Sequence, residues 1–175
     1  MNSPVYKIRP EMAADSNAVE ALIQQVFGPG ATTRAASELR EGVKHMPSLA
    51  HVAVMGNTIA GSVRFTPVLW GEREVLMLGP LGVARHQAKQ GIGRALMRAS
   101  METARKANEQ GGHAVVILVG DLDYYQSFGF ERISPDRIRL PRPADPLRVL
   151  GCGLEPDVLA CCSGDVVRCH VTPDP

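Results

Sequence analysis

Apolar and polar positions alternate with a period of two in Val5-Tyr6-Lys7-Ile8-Arg9, the mark of a strand with one face in a core. Ala18, Leu22, Ile23 and Val26 then recur at steps of one, three and four, which predicts a helix over 16–27. Asp15 stands where its cap belongs, and Gly28-Pro29-Gly30 stops it. A second helix is predicted over 32–46, capped by Thr32 or Thr33 and ended before Pro47. Strands follow over 51–55, 58–70 and 74–83, joined by turns at Gly56-Asn57 and Gly71-Glu72-Arg73. The clearest helical pattern covers 90–109, with Ile92, Leu96, Ala99, Thr103 and Ala107 on one face. Those residues are mostly small, so the helix is expected to lie close on a sheet, and Gly111-Gly112 ends it. The apolar run 113–119 is too short for a helix and reads as a central strand; 122–128 reads as a short helix ending at Gly129. A proline- and arginine-rich excursion, SPDRIRLPRPADP, leads to final strands over 149–152 and 161–171. The order is mixed α/β (α+β) with antiparallel hairpins, in one domain spanning 1–175.

A chain of 175 residues is long enough to bury a substantial core. A net charge of +1 gives no support to a general nucleic-acid or membrane-surface role, and 5% aromatic residues argue against a base-stacking surface. No apolar run reaches membrane-spanning length, and MNSPVYKIRPEM lacks the apolar centre of a signal peptide, so the expected location is the cytoplasm. Cys152, Cys161, Cys162 and Cys169 form no C-x-x-C pair, and Cys169-His170 fits no common zinc spacing. They read as small, reduced residues on the last strands, and no metal is expected.

The chemistry concentrates in 75–96, VLMLGPLGVARHQAKQGIGRAL. An apolar strand runs into Gly79-Pro80, a basic turn follows, and Gly91-Ile92-Gly93 opens the helix. Free N–H groups and the positive end of a helix dipole suit a phosphorylated ligand, and Arg85, Lys89 and Arg94 add charge. The dinucleotide fingerprint fails because Leu96 occupies its third small position, and the lysine of a P-loop is missing. On the glycines alone, a tight strand-to-helix turn explains the pattern equally well. Pro80 adds a second signal, since proline cannot donate to a ladder and marks where pairing stops or bulges. A strand leaving its neighbour there opens a slot. The backbone of Leu81 and Val83 is then free to pair with an amide-bearing ligand such as pantetheine. Just after the next strand comes Tyr124-Tyr125-Gln126-Ser127-Phe128-Gly129-Phe130.

These elements together resemble the GNAT superfamily of N-acetyltransferases, whose signature is Gln/Arg-x-x-Gly-x-Gly/Ala followed by Tyr-x-x-x-Gly-Phe. Gly91-Ile92-Gly93 and Tyr125 to Phe130 match it. LGPLGV, GDLDYYQSFGF and the cysteine-bearing tail are similar to the bacterial YhbS-like branch. The resemblance implies a central mixed, mostly antiparallel sheet with helices on both faces and a splayed central strand. It implies acetyl-CoA as donor, an amine of a small molecule or protein as acceptor, and a possible homodimer. It places the cofactor on Leu81, Gly82 and Val83 and on the turn Ala88, Lys89, Gln90, Gly91, Ile92, Gly93 and Arg94. Ala88 departs from the signature's Gln/Arg, which puts cofactor affinity at issue, with Gln87, Lys89 or Gln90 as compensation.

The implied mechanism is direct attack of the amine on the thioester. Main-chain N–H near Leu81 polarises the carbonyl, and Tyr125 protonates the thiolate or hydrogen-bonds it. The strand 75–81 holds no ionisable side chain, so no base is named; Glu74 is expected to be too distant, and His86 and Asp121 have plain readings as turn and cap residues. Arg132, Arg137, Arg139 and Arg142 read as a solvated loop more readily than as an attraction for an acidic acceptor. Phe65, Trp70 and Met77 read as pocket or core. Two other functions compete. One is a non-catalytic acyl-CoA binder, motivated by Ala88 and the missing base. The other, weaker, is ping-pong transfer through Cys161 or Cys162.

Overall fold

The computed structural model describes residues 6–28 and 35–169. The strands are β1 (Lys7–Pro10), β2 (His51–Met55), β3 (Thr58–Trp70), β4 (Arg73–Val83), β5 (Val115–Val119), β6 (Glu131–Arg132), β7 (Ile138–Arg139), β8 (Val149–Gly153) and β9 (Gly164–Arg168). The helices are α1 (Ser16–Phe27), α2 (Ala35–Arg40), α3 (Ile92–Glu109) and α4 (Leu122–Tyr125). The sheet runs β1-β2-β3-β4-β5-β8-β6, while β9 pairs with the far end of β3 and with β7. Pairing is antiparallel except between β4 and β5 and between β7 and β9.

Strict alternation along the central strands builds two cores. Leu76 and Leu78 of β4 with Val116 and Leu118 of β5 face α3, joined by its Ile92, Leu96, Met97 and Met101. Val75, Met77, Val115 and Ile117 face the other way, into a core with Leu39 of α2 and residues of the C-terminal excursion. Helix α1 packs on that second face as well: a Cβ on Gly82 would lie 2.8 Å from Ile23 Cδ1. Two-sided burial explains why β4 and β5 read as nearly continuous apolar runs. The mixed, mostly antiparallel sheet covered on both faces is the expected architecture.

Several local expectations are corrected. Asp15 precedes α1 but does not cap it; its carboxylate takes Arg9 Nη1 at 2.6 Å, Arg9 Nη2 at 2.9 Å and the Met12 N–H at 2.8 Å. Val19, not Ala18, joins Leu22 as the buried edge of α1. Helix α2 stops at Arg40 rather than at Met46, because the chain turns at Gly42, whose φ is +73°. Val5 and the proposed caps Thr32 and Thr33 lie outside the described residues, as do His170 and Val171. The buried face of α3 is Ile92, Leu96, Met97, Ser100, Met101 and Ala104, so the two methionines fill the space assigned to Ala99 and Thr103. Ile92 and Leu96 belong to both sets, and from them the buried face widens toward Met97, Met101 and Ala104 rather than toward Ala99, Thr103 and Ala107. Cys161 ends a 3-10 turn, Leu159–Cys161, and the last strand begins only at Gly164.

Candidate active site

The site begins where β4 and β5 part. They pair in parallel only at Leu76–Val116 and Met77–Ile117. Beyond Met77, β4 stays paired with β3 through Val83, but no described strand pairs with its other edge. The Gly79-Pro80 peptide is cis and Gly79 has a φ of +131°. The register shifts here: Val63 faces Leu81 and Phe65 faces Leu78, so Gly79 and Pro80 of β4 together oppose the single residue Arg64 of β3, a bulge in β4. The expected slot is present, and proline, bulge and splay coincide at it.

A cavity of about 1500 Å³ opens at this splay. Its walls include Leu78 to Leu81 of β4, Leu118 and Val119 at the end of β5 with Gly120 and Asp121 beyond it, and both Tyr124 and Tyr125. Residues of α1, α2 and the loop after α2 close the other side. Tyr125 is half-buried, 4.8 Å from the Tyr124 ring edge-on and 5.8 Å from Phe130. Gly120 admits it: a Cβ there would come 2.4 Å from Tyr125 Cε2. Burial, reinforced by Tyr124 and Asp121, pushes the Tyr125 phenol up to about 12. Burial raises Tyr124 too, against the opposing pull of Arg94.

The glycine turn lies next to this cavity rather than on its wall. Gly91 caps α3 with φ +80°, and the first helical bond runs from the Ala95 N–H to the Gly91 carbonyl at 3.0 Å. The amides of Ile92, Gly93 and Arg94 therefore precede the first helical donor, the Ala95 N–H, and point out of the helix end. Gly93 links turn to cavity, because a Cβ there would sit 2.8 Å from Tyr124 Oη. Arg94 lies over the Tyr124 ring at 5.5 Å and donates to Ser127 Oγ at 3.3 Å. Lys89 is held at φ +65°, a conformation unusual for a residue with a side chain. Ala88 is extended and its N–H goes to the Arg85 carbonyl at 3.2 Å, so that amide is spent inside the turn. Gln87 and Gln90, expected to compensate for Ala88, bond each other at 2.8 Å across it.

Other expectations resolve by position. Phe65, Trp70 and Met77 are core, each no more than 1% exposed, and none lines the cavity. Glu74 lies at the far end of β4, 2.5 Å from His113. His86 lies in the Arg85–Gln87 turn, off the cavity wall; Asp121 lines the cavity and pairs with Arg148 at 3.3 Å. Arg137 serves the Leu159 and Cys162 carbonyls, Arg139 pairs with Asp165, Arg142 with Glu38, and Arg132 donates to the Leu147 carbonyl. None of these four arginines lines the cavity, and neither Cys161 nor Cys162 does. Among the described residues no cluster of His, Cys, Asp or Glu is built to hold a metal, and no helix is long and apolar enough to cross a membrane.

The polar side of the cavity escaped the sequence reading. Arg64, 7% exposed, grips Glu11 through Nε at 2.9 Å and Nη2 at 2.6 Å, and Glu20 through Nη1. His45 stands 3.9 Å from Glu11, and burial and the Arg64 charge lower its pKa below the ordinary histidine value. Arg40 of α2 completes this side. The signal for all of them is tertiary: a charged residue inside an otherwise alternating apolar strand, Arg64 in β3, is the one trace legible in sequence.

Residues 16–130, most of the chain, match the model of the Acetyltransferase (GNAT) family. The chain belongs to that family. It is 28% identical over 138 residues to the uncharacterized N-acetyltransferase YhbS of Escherichia coli (strain K12), a match covering 78% of this chain and 80% of the relative. The crystal structure of the Escherichia coli GNAT family N-acetyltransferase YhbS in complex with CoA superposes with a TM-score of 0.77 at 27% identity, over 96% of this chain and 92% of that one. A GNAT family acetyltransferase from Brucella melitensis in complex with acetyl-CoA gives 0.66 at 27% identity, over 93% and 94%. This chain is accordingly a GNAT acetyltransferase by family, its two neighbours hold CoA and acetyl-CoA, and nothing in its geometry favours the non-catalytic reading.

Proposed function

We propose that the protein transfers the acetyl group of acetyl-CoA to a primary amine of a small molecule or protein, by direct attack within a ternary complex. The observation that carries this reading is the open edge of β4 beyond Met77, beside the amides at the start of α3. In it, the backbone of Leu81, Gly82 and Val83 pairs with pantetheine. The amides from Lys89 to Arg94 receive the pyrophosphate, while Ala88, its own amide already bonded, shapes the turn. Bound acetyl-CoA supplies an activated thioester. A main-chain N–H near Leu81 polarises its carbonyl. Tyr125 donates a hydrogen bond to the sulfur as the C–S bond breaks and the C–N bond forms, the sulfur leaving with the electron pair. His45, held neutral by burial, takes the proton that the amine gives up. One domain carries these roles. The four free cysteines fit a reducing cytoplasm, and a homodimer is the family-derived expectation for its assembly.

The test is the melting temperature with and without acetyl-CoA, followed by CoA release over an amine panel. Ligand at about 100 times its Kd adds about 2.7 kcal/mol. For a chain of this length that is a rise of about 5–10 °C. A rise with amine-dependent CoA release supports the reading. No shift at millimolar acetyl-CoA refutes it.

A further inference from the structure

The charged groups around the cavity sort into pairs with a remainder. Arg64 holds Glu11 and Glu20, Arg148 holds Asp121, and the Asp145 carboxylate takes the Leu147 N–H at 2.9 Å. Arg40 and Lys44 are left, neither with a carboxylate partner among the described residues. The neighbouring sequence at 29–34, PGATTR, offers none either. Lys44 is exposed and solvated, but Arg40 is half-buried. Its Nη2 donates to Ser37 Oγ at 3.3 Å. Its Nη1 reaches the splay itself, 3.1 Å from where a Gly79 Cβ would be. Gly79, at φ +131°, is a position where a side chain is disfavoured, and the guanidinium uses the room. Burial without a compensating carboxylate pushes Arg40 down to about 10. A cation kept in that state gains more from an arriving anion than a solvated one does.

We propose that Arg40 recognises a carboxylate on the acceptor, so that the substrate is a small primary amine that also carries a carboxylate, an amino acid in chemical class. This rests on the acetyl-transfer reading above and deepens it. A planar guanidinium matches a carboxylate with two parallel hydrogen bonds. Arg40 meets β4 at Gly79, two residues from Leu81, so a carboxylate held there keeps an amine a few bonds away at the open edge of the strand. The alternative cations are engaged elsewhere: Arg132, Arg137, Arg139 and Arg142 bind carbonyls or carboxylates outside the cavity.

The experiment compares matched amino acids and their α-amides as acceptors, at saturating acetyl-CoA, in the wild type, Arg40→Gln and Arg40→Lys. The quantity read is the acid-to-amide ratio of kcat/KM within each protein, which removes differences in amine basicity. Arg40→Gln lowers that ratio by at least about tenfold, the order of one charge-assisted pair, and Arg40→Lys lowers it less. An unchanged ratio, or amides preferred alike in all three proteins, overturns the proposal. The second readout needs no turnover: the melting shift produced by N-acetyl amino acids and their amides in the presence of CoA. A shift by the acids alone, lost in Arg40→Gln, supports the carboxylate site. A shift by both alike or by neither overturns it. The acetyl-CoA shift, retained in Arg40→Gln, shows that the variant folds. Its absence in the wild type, with the acid-specific shift intact, defeats the transfer reading and leaves the anion site standing.

Discussion

Replacing Tyr125 by Phe separates two roles that the family resemblance leaves open. As an acid, the phenol must give its proton to a departing thiolate. Its pKa is pushed up to about 12. A free thiol titrates near 8.5, so full transfer runs uphill by about 3.5 units, or about 5 kcal/mol. A hydrogen bond to the anionic sulfur has no such penalty, and a bond to a charged group contributes about 1.5–3 kcal/mol. Tyr125→Phe keeps the ring, its edge contact with Tyr124 and its contact with Phe130, so the loss is confined to the hydroxyl. The expected result is a fall in kcat of about 10- to 150-fold with KM for acetyl-CoA unchanged. The assay is CoA release followed with a thiol reagent from pH 6 to 10.5, in both proteins. The two pH profiles are expected to have the same shape, because the phenol stays protonated throughout. An unchanged kcat refutes contact between Tyr125 and the sulfur. A descending alkaline limb in the wild type, missing in Tyr125→Phe, refutes the raised phenol pKa and with it the energetic argument against proton transfer.

Gly93→Ala gains helix propensity, so stability holds within about 1 kcal/mol. The new Cβ drives Tyr124 Oη from a 2.8 Å contact, however, and calorimetric titration is expected to show acetyl-CoA binding about tenfold weaker. His45→Gln removes the group held below the ordinary histidine pKa. The wild-type rate rises as pH increases through that low pKa. The variant loses this acid limb and about 10²-fold in kcat/KM, which a pH–rate series reads directly. Asp15 is held at about 2 by its Arg9 and Met12 hydrogen bonds, below the ordinary 3.8. Its contribution is fully present above the ordinary value and is lost as pH falls through about 2. After solvent screening it amounts to about 1 kcal/mol. Denaturant midpoints of wild type and Asp15→Asn are expected to differ at pH 5 and to converge near pH 2.

Local rules made the central sheet readable. β2 and β3 fall on the predicted residues because the Gly56-Asn57 turn fixes where the hairpin reverses and apolar, strand-forming residues flank it on both sides. Pro80 announced the splay because its missing N–H is a local fact with a sheet-wide consequence. Asp15 defeated a local rule: the capping position was right, but the arginine on β1 bound the carboxylate more strongly than a helix amide does. On α3 the stripe through Ile92 and Leu96 was legible, but Ala99, Thr103 and Ala107 fit the period as well as Met97, Met101 and Ala104 do, and only packing against the sheet selects the latter.

The acceptor side was illegible for a different reason. Arg40, His45, Arg64 and Glu20 come from α2, the loop after it, β3 and α1, and no spacing along the chain connects them. What joins them is the bulge of β4 at Gly79-Pro80, which lies opposite Arg64 of β3 and makes room for the Arg40 guanidinium at Gly79. The bulge and the loss of pairing with β5 fall within a few residues of each other on β4. On the proposed reading, the device that exposes the β4 edge to the donor also sets where the acceptor is held. The proposed sites would then be coupled: a substitution that re-pairs β4 with β5 would close the proposed cofactor slot and bury Arg40 without an anion at the same time. The opposing pressures explain why the sequence keeps proline and glycine in the middle of its best strand, where sheet stability alone would favour valine.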